Sequence, residues 1–334
     1  MTIPRAVRRR TLLLLAGASA MGLPRPTFAQ AQPEPYPSRP VRIIVPFPPG
    51  QAADIVVRLV AEELSRRWPH RVLVENRGGA AGVPGVEAGA RAAPDGYTLT
   101  NGTSGTFGVN PGVLPRLPYD PERDFAAITN LTVGPLIFIC HAGFPAQSMA
   151  ELAQMARARP GAVDIATAGP ATAQHMSIEL LQLRTGLRFN VVHYRGSGPA
   201  VTDLVAGNVP VMCDSIPSAL PHLRAGRARA LAVTGARRMP ALPEVPTVGE
   251  TVSPGYDSGG WIGLAAPAAP PPAIVRKINA DVVAMLQEPA MANRLLEMGT
   301  IPDPGPPEQF AAFIRSEIAK WREVARAANV RLEG

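Results

Sequence analysis

Two cysteines, two lysines and five histidines are all that the 334 residues hold of these types, and aromatic side chains make up 5%. Two cysteines cannot build a disulfide framework or a four-cysteine zinc site. The histidines are nowhere spaced His-x-x-x-His, so no zinc-hydrolase helix is present. Neither Lys277 nor Lys320 follows a phosphate loop, and Gly78, Gly79, Gly82, Gly85 and Gly89 miss the dinucleotide fingerprint. A serine hydrolase needs a Gly-x-Ser-x-Gly elbow, but Gly102-Thr103-Ser104-Gly105 has the wrong spacing. These absences leave little room for catalysis, and the chain is expected to be no enzyme and to need no cofactor or metal.

Charge of one sign is also scarcer than it first looks. The formal net charge is +7, but Arg5, Arg8, Arg9, Arg10 and Arg25 fall in the first 29 residues, which carry no acid; beyond them 28 basic face 26 acidic side chains, a net of +2. Nucleic-acid binding lacks its electrostatic footprint. The leader itself has a positive start, an apolar stretch from Leu12 to Leu23 and small residues up to Ala29, the layout of an export signal too short to span a bilayer. Residues 1–29 are expected to be a signal peptide cleaved near Ala29. Arg9-Arg10 leaves the general and twin-arginine routes both open. No other stretch is apolar enough to span, so the mature chain is expected in the periplasm.

What the chain has in abundance is alternation. Short β-branched runs at Arg42–Pro46, Arg71–Glu75 and Tyr97–Gly102 are separated by helical patterns at Asp54–Arg67 and Gly82–Ala92, a parallel α/β signature. A second series starts near Leu136, with strands at Leu136–Cys140, Val163–Ala168, Phe189–His193, Val209–Asp214 and Ala230–Thr234, and helices between them. Ser148 with Glu151 predicts a capping box. After a Pro/Gly-rich stretch come one more strand, Trp261–Ala266, and three helices that read as a return to the first domain. Residues 36–135 with 256–334 are therefore expected to form one lobe and 136–255 the other, with a ligand cleft between them. Cys140 and Cys213 fall in apolar runs and fit either a bond or two buried thiols.

The junction Val41–Asp54, VRIIVPFPPGQAAD, carries the most chemistry. A strand entering a helix through a tight loop leaves backbone N–H groups facing outward, where the helix dipole favours an anion. Asp54 is expected to cap this helix, with or without a role toward a ligand.

YPSRPVRIIVPFPPG, VENRGGAAG, APDGYTL, LPYDPERDF, HYRGSGPAVTDLVAG, IPSALPHLRAGRARALAVTGARR and LPEVPTV together resemble the Bug family, the TctC-like extracytoplasmic substrate-binding proteins of tripartite tricarboxylate transporters. The likeness covers nearly the whole mature chain. It implies a two-lobed α/β periplasmic-binding-protein fold (type II-like) that closes about a hinge on a small carboxylate: a di- or tricarboxylate, an acidic amino acid or an aromatic acid. Membrane permease subunits, or a membrane sensor, would be the partner, and the receptor would act as a monomer. The family usually has Pro-Gly-Gly where this chain has Pro49-Gly50-Gln51, so Gln51 either narrows the pocket or adds an amide to it. The implied pocket takes Phe47, Pro49, Gly50, Gln51, Ala52 and Asp54 from the first loop and Ser104, Gly105 and Thr106 from the Thr103–Thr106 segment. From the other lobe it takes Thr167, Ala168, Thr172 and His175, which match SAGxGTxxH except that Ala171 replaces the second glycine. Arg195 would pair with a carboxylate or lie in solvent, His175 would touch ligand or pack within its helix, and Asp214 would meet an amino or hydroxyl group or cap a turn.

Overall fold

A computed structural model describes residues 36–331, so the leader expected over residues 1–29 lies outside the described residues. The chain opens with β1 (Val41–Val45), α1 (Ala52–Arg67), β2 (Val72–Asn76), α2 (Val83–Ala90) and β3 (Thr98–Thr103). α1 buries Val56, Val57, Leu59, Val60 and Leu64 on one stripe, and its last turn carries Arg66 and Arg67, where cations suit the negative helix end. A π-helical turn at Ser104–Val109 and α3 (Asn110–Val113) lead to β4, a strand running from Phe125 to His141.

The second series is α4 (Met149–Ala158), β5 (Asp164–Thr167), α5 (Ala173–Thr185), β6 (Asn190–His193), α6 (Ser197–Ala206), β7 (Val211–Ser215), α7 (Ile216–Arg224), β8 (Ala228–Val233) and α8 (Val248–Thr251). The chain ends with β9 (Gly259–Pro267), α9 (Pro272–Gln287), α10 (Pro289–Glu297), β10 (Ile301–Pro302) and α11 (Pro307–Ala327). Ser148 accepts from the Glu151 N–H as expected, but the Glu151 carboxylate reaches one residue further back, to the Gln147 N–H. Half of the expected box forms.

The strands pair in the order β2-β1-β3-β9-β4-β7-β5-β6, with β8 and β10 also on β4. β1 is parallel to β2 and β3, and β5 to β6 and β7, which puts the turns after β1, β3, β5 and β7 at carboxyl ends of strands. β4 belongs to both halves. Its segment Phe125–Pro135 pairs with β9, and its segment Leu136–His141 pairs with β7 and β8. One apolar core gathers Ile43, Val60, Leu99, Ile128 and Met285 on the first half; others gather Phe138, Leu152, Ile178 and Ile139, Met212, Ala219 on the second. The result is a two-lobed α/β fold threaded by a shared strand. The sequence pattern predicts only Leu136–Cys140 of β4, because the part before it, with Thr129, Asn130, Gly134 and Pro135, lacks a clean apolar alternation. Two register shifts against β9 show the physical reason: this stretch is irregular and breaks the period of two.

A buried polar contact joins α11 to β9. The Glu317 carboxylate, 7% exposed, accepts the indole N–H of Trp261 at 3.0 Å and of Trp321 at 2.9 Å. Removing an acceptor from two buried donors is costly. Glu317→Leu is expected to lower unfolding stability by about 2–4 kcal/mol and Glu317→Gln by about half of that, read from urea midpoints; a leucine variant as stable as the parent contradicts this account.

Candidate functional site

Four strand ends feed helices that start at one place. The turns after β1, β3, β5 and β7 bring Gln51–Ala53, Ser104-Gly105, Thr172–Gln174 and Ser215 to the wall of a single cavity, as expected for crevices at the carboxyl ends of α/β strands. Phe47 closes one side. β4 and β9 form the floor through Thr132, Gly134, Pro135, Trp261 and Ile262. The cavity volume is about 70 Å³.

No lining side chain is charged. What the wall offers instead is backbone. The first N–H groups of a helix have no acceptor inside it. Among the described residues, those of Ala52, Ala53, Ser104, Gly105, Ala173 and Gln174 have no backbone or side-chain acceptor. Three pairs of unpaired amides, each at the start of a helical turn, thus belong to residues that line one neutral cavity. That arrangement is suited to hold an anion.

The residues singled out from the sequence divide into two groups. Phe47, Gln51, Ala52, Ser104, Gly105 and Thr172 line the cavity. The others stand off the wall. Pro49 and Gly50 are exposed at the rim, and the Gly50 N–H, expected to face an anion, already donates to Asp54 Oδ2 at 3.0 Å. Asp54 is not the cap expected for α1: the helix starts earlier, at Ala52 after Gln51, and the carboxylate turns back to hold the loop. Its Oδ1 accepts from Arg58 Nε and Asn76 Nδ2, both at 2.8 Å, while Asn76 Nδ2 also donates to the Phe47 carbonyl. Thr106 faces inward and closes a reciprocal cap with Thr103.

Across the cavity, Thr167 Oγ1 accepts the Gly169 N–H and the Ala168 carbonyl accepts the Gly196 N–H, so both residues shape the loop before α5 from behind. Thr172 caps α5 by accepting the His175 N–H and donates to the Gly169 carbonyl. His175 packs rather than lines: its Nδ1 accepts the N–H of Ala171, which stands at φ +55° in the left-handed region. That backbone costs about 1–2 kcal/mol for a residue with a Cβ, and the histidine holds it in place. Arg195 is exposed and off the cavity wall, although its neighbour Gly196 packs against the first loop. Asp214 is fully buried behind the wall, with Oδ1 accepting Ser197 Oγ at 2.6 Å and Gln174 Nε2 at 3.4 Å, and Oδ2 without a donor. Burial pushes its carboxyl above the usual range. Cys140 and Cys213 are two buried free thiols.

Sequence reasoning missed Gln174, Ser215, Thr132, Trp261 and Thr300 on the wall. Gln174 lies two residues past the Thr172 cap and Ser215 one past Asp214, so helix-start geometry carries a signal for both. Thr132, in the irregular half of β4, and Thr300, just before β10, leave no such signal; Trp261 opens the strand expected at Trp261–Ala266, but nothing in the pattern shows that it reaches a cavity.

The model of the tripartite tricarboxylate transporter family receptor matches residues 56–330. The chain belongs to that receptor family. A related receptor-family protein, BugT of Bordetella pertussis, is 35% identical over 89% of this chain and 92% of its own. Among solved structures, Rpa4515 of R. palustris with adipate superposes with a TM-score of 0.87 at 34% identity, covering 89% of this chain and 99% of that one. MatC from Rhodopseudomonas palustris with bound malate gives 0.81 at 34% identity, over 86% and 99%. The fold is accordingly that of the periplasmic solute-binding proteins, and this family member is a solute receptor and not an enzyme. Among the described residues no helix is long and apolar enough to cross a membrane. The family match begins inside α1, beyond the loop that holds Gln51.

The loop tie at Asp54 has a pH signature. Burial raises its carboxyl, but the Arg58 hydrogen bond, the Gly50 N–H and Asn76 more than offset this and hold it below the usual carboxylate value. A carboxylate depressed in the folded state contributes stability that is fully present above its unfolded pKa, about 3.9, and is lost as pH falls through the folded value. Asp54→Asn is expected to cost about 1–2 kcal/mol at neutral pH, with the gap to the parent closing below about pH 4. Denaturant melts across pH 3 to 7 check this; a gap independent of pH contradicts it.

Proposed function

We propose that this receptor captures a small dicarboxylate in the periplasm and delivers it to the membrane permease subunits of a tripartite tricarboxylate transporter. The observation that carries the reading is the neutral cavity with three unpaired amide pairs, at α1, at the turn after β3 and at α5. A ligand with a carboxylate at each end satisfies opposed helix starts without any cation in the wall. Adipate and malate in the two related structures are diacids of this kind. The proposed contacts are Phe47, Gln51, Ala52, Ser104, Gly105 and Thr172, while Asp54, Thr106, Thr167, Ala168, His175 and Asp214 position the loops.

In this reading, residues 36–135 with 256–334 form one lobe and 136–255 the other, and β4 and β9 carry the hinge between them. Contacts made only when both lobes reach the ligand shift the population toward the closed form. The arginine-rich leader serves export and is removed near Ala29, which leaves the nearly neutral mature receptor free to diffuse.

A ligand bound only by the folded chain at a hundred times its Kd adds about 2.7 kcal/mol, a Tm rise of several degrees in a protein of this size. A thermal-shift series over four- to six-carbon dicarboxylates, monocarboxylates, sugars and cationic amino acids is expected to respond to dicarboxylates. A response confined to sugars or cations, or none to any acid, overturns the proposal.

A further inference from the structure

Gln51 is buried to 5% exposure at the cavity wall, and its amide oxygen has no hydrogen-bond donor. It occupies the position before α1 where a short polar side chain ordinarily caps the helix, yet it makes no capping bond. No side-chain hydrogen bond of Gln51 to any other described residue accounts for its burial. Gln174, the second glutamine of the wall, differs: its Nε2 is committed to Asp214. A buried amide oxygen left without a donor costs more than its removal would, unless something outside the chain completes it.

We infer that Gln51 determines ligand specificity by pairing with a 2-hydroxycarboxylate. This rests on the reading of the site as a dicarboxylate receptor and names the subclass it takes. A primary amide presents an N–H donor and a carbonyl acceptor side by side; a 2-hydroxy acid presents the complementary pair, a carboxylate oxygen and an adjacent O–H. The amide donates to the carboxylate and accepts from the hydroxyl. A plain diacid satisfies the first bond and leaves the Gln51 oxygen unpaired, as it is now. A 2-amino acid would place an ammonium in a wall with no facing charge: Asp214 lies behind Gln174 and Ser215, and no lining side chain is ionised. The hydroxyl fits both the unpaired acceptor and the neutrality of the cavity.

Titration calorimetry of the leader-free receptor with malate, that is 2-hydroxysuccinate, and with succinate isolates the hydroxyl at constant chain length. The parent is expected to bind malate about tenfold or more tightly than succinate. In Gln51→Met, which keeps the length of the side chain and removes the amide, the ratio is expected to fall to within about twofold, chiefly through weaker malate binding. Gln51→Ala gives the same ratio test should the methionine variant fold poorly. A preference that persists unchanged in the variants, or a parent that binds the two acids equally, overturns the inference and leaves the dicarboxylate receptor standing. A parent that binds neither acid, nor any other dicarboxylate, overturns both.

Discussion

An anion drawn out of bulk water must be neutralised by something, and in this protein the cavity wall supplies no ionised side chain to do it. Backbone amides at helix starts have to substitute, and their strength depends on alignment more than on identity. Each start carries roughly half a positive charge, spread over N–H groups that only point inward while the preceding loop holds its shape. Much of the polar chemistry around the site therefore serves loop geometry. The Asp54, Arg58 and Asn76 network fastens Phe47–Gly50, the Thr103–Thr106 cap fixes the turn after β3, and Thr167, Thr172 and His175 hold the Gly169–Ala171 bend. A lysine in the wall would bind an anion less selectively, because a flexible point charge does not constrain where the oxygens lie.

The cavity floor comes from the two strands that cross between the halves. Gly134-Pro135 on β4 lies beside Gly259-Gly260 on β9, and a Cβ on Gly259 would meet the Gly134 carbonyl oxygen at 2.7 Å. The crossing is thus made where small residues let two backbones approach closely, and a proline removes a ladder donor. Trp261, next along β9, reaches the cavity while its indole is anchored by Glu317 and its ring packs edge-on against Phe310 and Phe313 of α11. The floor is rigid on the α11 side and narrow at the crossing.

How much of this the sequence discloses depends on which physical signal each part leaves behind. The parallel units are legible because largely buried apolar strands such as Val41–Val45 and amphipathic helices such as α1 stand out from the loops between them. The family segments disclose the fold as a whole. Half of β4 stays hidden since irregular pairing dissolves its alternation, and with it go Thr132, Gly134 and Pro135 of the floor. For the site, residue type misled where geometry decided. Arg195 and Gly50 have the right chemistry for an anion, yet Arg195 sits exposed after an edge strand and the Gly50 amide is taken by Asp54, a carboxylate that would itself repel an anion. Ala53 and Ala173 show nothing in their side chains, and their contribution is a backbone N–H that only the helix start reveals.

The loops that present the amides are also those through which the halves touch. A Cβ on Gly105, in the turn after β3, would meet the carbonyl oxygen of Ala171 at 3.0 Å, and one on Gly196 would meet Pro48 of the first loop at 3.1 Å. Ala171 and Met176 share an apolar cluster with Val109, Val113 and Trp321 from the other half. In the proposed binding mode, ligand contact and contact between the halves are made by neighbouring atoms of the same turns. In that binding mode a guest that misplaces one carboxylate would displace a loop that must also fit its counterpart, so poor fit would be penalised at both ends of the linkage. Close glycine contacts leave little slack to absorb the error. The same tightness explains why a left-handed Ala171 is retained under the grip of His175: its carbonyl is the surface that Gly105 meets, and relaxing the bend would move it.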